Sequence, residues 1–281
     1  MAGLLFSCFD SFPAFRVLGA GKHPSPQTDR FAIVTFVTPS VLQRWSMSMS
    51  VKNCYASTWG YSFIVEPSDR EKTSFIHWLK PQTIAKYLPF YDVVFFVDSD
   101  TYFTNLSVPL SAFIGPDDHI VVSDEDTPPI LAGMIMIRNS PKGSAFLSRW
   151  LDKMERWDNF DGDNAALIQT ILEEVVPPNR SFACEQFFGN YVAFSECFYQ
   201  TITPYVGSFG HREHKGVHFL RPEISWSRFS EGDLRVRGTY GLPQVRPYRS
   251  FRTGDFLVHA KFEDLPSMYL EPDYQVCGRS T

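Results

Sequence analysis

Asp98-Ser99-Asp100-Thr101 places two carboxylates one residue apart, directly after the hydrophobic run Tyr91-Asp-Val-Val-Phe-Phe-Val97. On a turn, both can approach one hard cation, and Mg²⁺ or Mn²⁺ typically takes one or two carboxylates plus water and phosphate oxygens. As a bare string, D-x-D is as readily a turn or a helix cap. Its position at the end of a buried strand is what favours the metal reading. His259 closes a second apolar run, Phe256-Leu-Val-His259, and would complete an Asp98, Asp100 and His259 set of oxygen and nitrogen donors suited to Mn²⁺. Alone, such a histidine reads as a buried imidazole. His211 and His214 lack the H-E-x-x-H pattern and read as loop residues.

The elements that must position these groups follow from hydrophobic patterning. Phe31-Ala-Ile-Val-Thr-Phe-Val37 is an apolar, β-branched run stopped by Thr38-Pro39, a strand pattern. Residues 40–57 are compatible with a helix, Gly60 breaks them, and Tyr61-Ser-Phe-Ile-Val65 reads as a second strand. A helical window over 73–88 carries Trp78, Ile84, Ala85 and Leu88 and ends at Pro89. The run to Val97 is then the third strand, of the kind a parallel sheet buries on both faces. A β-α-β-α-β order implies an open, largely parallel α/β sheet, and such sheets bind ligands beyond the carboxyl ends of their strands. Further strands are expected at 119–122, 134–138 and 255–259, and helices at 142–157 and 163–175. Between residues 179 and 254 the chain is rich in aromatics, Arg, Pro and Gly with weak periodicity and reads as acceptor-binding loops.

Two families share a hydrophobic strand followed by such acids. The chain resembles nucleotide-sugar glycosyltransferases of the A-type fold, and it also looks like the first motif of haloacid-dehalogenase-like phosphatases, which would make Asp98 a nucleophile. Placement favours the transferase, because two β-α units precede the motif here. Trp78-Leu-Lys80-Pro and the segment from Tyr91 to Asn105 are similar to the donor half of the galactosyl, mannosyl and xyloglucan xylosyltransferases. Ala132-Gly133-Met-Ile-Met-Ile-Arg138 resembles their segment beneath the donor sugar, with Leu131-Ala132-Gly133 standing where the family usually has Asn-Thr-Gly or Asn-Ala-Gly. Asp163-Asn-Ala-Ala resembles their acidic helix start, and Val258-His259-Ala-Lys261 their late metal-binding histidine.

The resemblance implies an A-type transferase fold and a Mn²⁺- or Mg²⁺-dependent transfer of a hexose or pentose, such as galactose or xylose, from a UDP-linked donor to a glycan hydroxyl. It implies metal ligation by Asp98, Asp100 and His259. Donor contacts would come from Thr35, Phe36 and Val37, from Asp98 and Ser99, from Ala132 and Gly133, and from Lys80 and Lys261 at the diphosphate. Asp163, with Asp161 beside it, would act near the anomeric carbon or as the base for the acceptor. A carbohydrate-binding protein without turnover is the reading outside enzymology. Asp163 also has a plain structural reading, since acids at helix N-termini are favoured by capping and dipole.

Composition bounds these readings. The 281 residues, at roughly 150 per domain, leave one large domain or two small ones open. The β-α-β-α-β reading favours a peripheral segment over 1–29 and a single domain over 30–281, with a nucleotide-sugar half at 30–125 and an acceptor half at 126–281. A net charge of −5 and the absence of a basic run speak against a nucleic-acid partner. Any phosphate must then be met by a metal or a local lysine. No run approaches the roughly 20 apolar residues of a membrane span, and no clear signal peptide is seen. The five cysteines show no C-x-x-C spacing and read as reduced thiols, which points to a cytoplasmic location. The aromatics, 16% of the chain, divide into sheet core at Phe31, Phe36, Phe63, Phe95 and Phe96, and candidates for sugar stacking between 182 and 251.

Overall fold

The computed structural model describes residues 29–38, 42, 44–68, 76–123, 130–157, 162–187, 189–207, 212–220, 226–228 and 256–259. The first unit is β1 (Phe31–Val37), α1 (Ser46–Trp59) and β2 (Ser62–Pro67). Gly60 ends α1 in the left-handed conformation, φ 70°, where glycine carries no Cβ penalty. A 3₁₀ turn at Ile76–Trp78 leads into α2 (Leu79–Tyr87), and a second at Leu88–Phe90 into β3 (Val93–Val97). β1 lies between β2 and β3 and runs parallel to both. The β-α-β-α-β order is therefore present, with element ends shifted by a few residues.

Then follow β4 (Thr101–Phe103), β5 (Ile120–Ser123), β6 (Met134–Arg138), α3 (Pro141–Leu151), α4 (Met154–Trp157) and α5 (Gly162–Val175). The chain continues through α6 (Pro178–Ser181), α7 (Tyr191–Val206), β7 (Arg212–His214), β8 (Val217–Leu220), β9 (Trp226–Arg228) and β10 (Leu257–His259). The main sheet has the order β2-β1-β3-β6-β5-β8-β7, and a second sheet has the order β4-β10-β9. β1, β2, β3, β5 and β8 share one direction, whereas β6 and β7 run antiparallel to their neighbours. The fold class is α/β with a mostly parallel central sheet and flanking helices, as expected.

Alternation along the strands separates two cores. Ala32 and Val34 of β1, Val94 and Phe96 of β3, and Ile135 and Ile137 of β6 face a layer that includes Ile84, Phe146, Trp150, Leu167, Ile171, Phe194 and Phe198 from the helices α2, α3, α5 and α7. Ile33, Phe95 and Met136, one residue out of phase, face α1 and the small sheet, where Tyr55 stacks on Phe103 with ring centroids 4.0 Å apart. Period-2 burial on both faces is why these strands read as continuous apolar runs.

Two sequence expectations are corrected. The stretch after residue 179 is not simply loop: α7 spans Tyr191–Val206, and β7 and β8 extend the main sheet. Phe194, Phe198 and Ile202 recur at helical spacing and are buried, so Phe194 and Phe198 are core and not sugar platforms. Pro204 inside the helix and strands of three or four residues mask that periodicity. The cysteines are not all reduced thiols either. Cys184 and Cys197 form a disulfide across the turn between α6 and α7, and Cys54 is also disulfide-bonded. Proximity made by folding, with no motif spacing, sets this pairing, and it removes the ground for expecting a reducing compartment. Among the described residues no helix is long and apolar enough to cross a membrane.

Candidate active site

β3 is buried along its whole length and emerges from the sheet at Asp98. There the backbone turns. The Asp98 amide donates to the Gly133 carbonyl at 2.8 Å, and the Thr101 amide donates back to the Asp98 carbonyl at 3.2 Å. Ser99 and Asp100 occupy the turn, half-buried, before the chain enters β4. β4 pairs antiparallel with β10 so that His259 stands opposite Thr101 in the ladder. A register, not sequence proximity, therefore brings the backbone of His259 beside the residue that follows Asp100. The His259 side chain lies outside the described residues.

Lys80, in the first turn of α2, places its ammonium 3.3 Å from both Asp98 carboxylate oxygens and 3.2 Å from Asp163 Oδ2. Asp163 is the second residue of α5. The lysine side chain is 8% exposed, Asp98 21% and Asp163 1%. Burial alone would lower the lysine, but the Asp163 and Asp98 charges outweigh it and hold the ammonium above its ordinary value. Burial also dominates Asp163, whose carboxyl is held above its ordinary range despite Lys80 beside it. One ammonium offsets only one of the two carboxylates, and the raised Asp163 carboxyl limits the charge that remains in this buried cluster.

The start of α5 is fastened to its surroundings. Trp150 Nε1 donates to the Asp163 carbonyl at 3.0 Å, and the Ala132 amide donates to Asn164 Oδ1 at 2.7 Å. The Ala132-Gly133 segment is thus tied on one side to α5 and on the other to Asp98. Thr35, Phe36 and Val37 end β1 just beyond Val34, which pairs with Phe96 two residues before Asp98. Thr35 is buried and among the described residues its hydroxyl has no hydrogen-bond partner, Phe36 stacks on Phe96 with centroids 6.1 Å apart, and Val37 is core. Asp98, Ser99, Asp100, Lys80, Ala132, Gly133 and Asp163 therefore converge at one sheet edge with the end of β1. Asp161 and Lys261 lie outside the described residues. So does His211, while His214 belongs to β7 at the far edge of the sheet.

Sequence reasoning missed Lys52 and Ser48 of α1. Lys52 is fully buried, and its Nζ donates to Ser48 Oγ at 2.5 Å, to the Thr101 carbonyl at 2.7 Å and to the Ser99 carbonyl at 3.1 Å. Ser48 Oγ lies 2.6 Å from the Ser99 carbonyl and 2.7 Å from that of Thr101. The available signal was a lysine four residues after Ser48 on a face otherwise made of Met49, Val51, Tyr55 and Ala56. Burial pushes the Lys52 ammonium down to about 7, against the pull of Asp100 and Asp98. A neutral amine keeps both carbonyl bonds if the Ser48 hydroxyl donates to it, so loss of the proton leaves the contacts in place.

This gives a pH prediction. Unfolding restores the ordinary lysine value of 10.5, so between pH 7 and 10.5 the unfolded chain binds more protons and folding stability rises with pH through this group. Urea unfolding of the wild type is expected to show that rise relative to Lys52→Met. Parallel pH profiles of the two proteins would refute it.

No family model matches the chain, and no curated protein matches it. Among solved structures it is similar to a glycosyltransferase involved in glycosylation of the major capsid of PBCV-1, with a TM-score of 0.49 at 14% identity, covering 89% of this chain and 98% of that one. It is also similar to the glycosyltransferase GlyE of Streptococcus pneumoniae TIGR4, TM-score 0.44 at 12% identity, over 88% of this chain and 63% of GlyE. A third likeness is to the bifunctional glycosyltransferase WbbM, TM-score 0.43 at 11% identity, over 93% of this chain and 51% of WbbM. At these identities and scores the likenesses assign no activity to this chain.

Proposed function

We propose that the protein is a divalent-cation-dependent glycosyltransferase that moves a hexose or pentose from a nucleoside diphosphate sugar, uridine-linked donors first, to a glycan hydroxyl. One observation carries the reading. The D-x-D turn, Lys80, Asp163 and the Ala132-Gly133 segment, separated widely in sequence, meet at the carboxyl edge of a mostly parallel sheet, where such folds bind ligands.

Asp98, Asp100 and His259 would hold the Mn²⁺ or Mg²⁺. Among the described residues no three His, Cys, Asp or Glu side chains form a metal-holding group. The donor set nevertheless fits in kind: two carboxylates share a half-buried turn, and the ladder sets the His259 backbone next to it. When bound, the metal would supply charge stabilisation to the departing diphosphate. The chain's own residues do the rest. Lys80 holds Asp98 in place and offsets the acids, and half-buried Phe36, between buried Thr35 and Val37 at the end of β1, would meet the base. Gly133 lets the donor segment approach the turn. Asp163, nearly fully buried and ion-paired, is better placed to brace the site than to take a proton from an acceptor. The phosphatase alternative gains no observation, since two β-α units precede Asp98 and the neighbouring β6 runs antiparallel.

The test is a thermal-shift screen of UDP- and GDP-sugars with and without Mn²⁺. At about a hundred times Kd, a ligand specific for the folded state should raise Tm by about 5 °C. That shift should require the metal and vanish in Asp98→Asn and Asp100→Asn. Absence of any metal-dependent shift would sink the proposal, and a shift without turnover would favour the carbohydrate-binding alternative.

A further inference from the structure

A fully buried lysine beneath an acidic turn needs a reason, because a leucine at the same place would bury no charge. The chemistry of the turn supplies one. The Ser99 and Thr101 carbonyls face α1, and buried carbonyls require donors. An ammonium has three donors, and Lys52 finds three acceptors: Ser48 Oγ and these two carbonyls. The Ser48 hydroxyl lies within bonding distance of the same two oxygens.

The position of the two carbonyls matters. That of Ser99 belongs to the peptide entering Asp100, and that of Thr101 to the peptide leaving Thr101. Holding both to one Nζ anchors the backbone on either side of Asp100. On the other side of the turn, the Asp98 amide is tied to Gly133 and the Asp98 carboxylate to Lys80. Asp98 is thus held from the helix layer of α2 and α5, and Asp100 from α1 on the opposite face of the sheet.

We infer that Lys52, with Ser48, is the positioning residue of the D-x-D turn, setting the spacing of Asp98 and Asp100 for a divalent cation and its nucleotide. This rests on the metal-dependent reading above for its functional half. Lys52 is engaged by the Ser99 and Thr101 carbonyls and would touch neither the cation nor the nucleotide. It acts through the main chain of Ser99 and Thr101.

The experiment uses the full chain and two readouts. Lys52→Met keeps the volume and removes the donors, and Ser48→Ala removes one acceptor while leaving the lysine. Mn²⁺ affinity in the presence of UDP, followed by electron paramagnetic resonance, should fall about tenfold or more in Lys52→Met and less in Ser48→Ala, the range expected for partners that orient metal ligands. Hydrogen exchange should accelerate at the Asp98 and Thr101 amides in both variants. Ile202→Val, a truncation in the other core, controls for general loss of stability and should leave both readouts at wild-type values.

Unchanged exchange at these amides in folded Lys52→Met would overturn the clamp. Accelerated exchange with unchanged Mn²⁺ affinity would overturn its positioning role. A wild type that takes up no Mn²⁺ with any nucleotide would overturn the metal reading and this functional role with it, while exchange would still decide whether Lys52 holds the turn. Should Lys52→Met fail to fold, Ser48→Ala decides by the same two readouts.

Discussion

Lys80→Met should cost the fold about 3–5 kcal/mol, the loss expected when one partner of a buried ion cluster is removed. The side chain keeps its length, so the loss comes from charge. Asp163, 1% exposed, would be left beside Asp98 with no cation between them. The effect has a signature in pH. Burial already holds the Asp163 carboxyl above its ordinary range, and removing the Lys80 charge that lowers it raises it further. A raised carboxyl is satisfied at low pH and penalised as pH rises, so the variant should lose more stability at about pH 8 than at about pH 5. Adding Asp163→Asn should recover much of the loss, since the second change removes the charge that the first orphaned. Urea denaturation of the two single variants and the double variant measures all of this. A loss below about 1 kcal/mol for Lys80→Met would mean that the cluster is solvated and that the lysine is not its charge anchor.

Gly133→Ala is expected to be the most damaging single-methyl change at the site. A Cβ built on Gly133 would lie 2.3 Å from Asp98 Oδ2 and 3.0 Å from its Cγ. The Oδ2 approach is closer than real contacts and the Cγ one requires a shift of a few tenths of an ångström, so the carboxylate must swing away or the strands must part at the 2.8 Å bond from the Asp98 amide to the Gly133 carbonyl. The first route takes Asp98 off Lys80 and out of any metal geometry. The second loosens β3 against β6. Stability should fall by about 1–3 kcal/mol, as for other overpacked sites, and, under the proposed function, sugar transfer by about a hundredfold, the penalty for displacing a positioned group by about 1 Å. Ile202→Val, a truncation in the helix-side core away from the turn, is the control for general loss of stability. Wild-type kcat/KM in Gly133→Ala would show that Asp98 does not need its present rotamer for turnover.

Both predictions concern residues legible in the sequence, though for partial reasons. Lys80, Asp98, Gly133 and Asp163 are all readable as candidates from motif type and order. Their mutual contact is not. Lys80 reads as a cation awaiting a diphosphate, yet in the folded chain two carboxylates already share it. Gly133 reads as part of a donor-sugar segment, while the structure adds that its missing Cβ is the space the Asp98 carboxylate fills. Lys52 shows the opposite case. Lysine is almost always solvated, and only burial beneath the Ser99 and Thr101 carbonyls gives it a task.

The β-α-β-α-β order, the strand ending in two acids and the mostly parallel class came from the sequence itself, because hydrophobic period, chain breakers and residue type are local properties. Three things were decided by tertiary structure alone. The antiparallel insertion of β6 between β3 and β5 depends on pairing between distant strands. The disulfide between Cys184 and Cys197 depends on α6 and α7 folding back on each other. The buried charges depend on which groups meet once water is excluded: Lys80 between two acids, and Lys52 under the turn. Electrostatic environment is a property of packing, and no spacing along the chain encodes it.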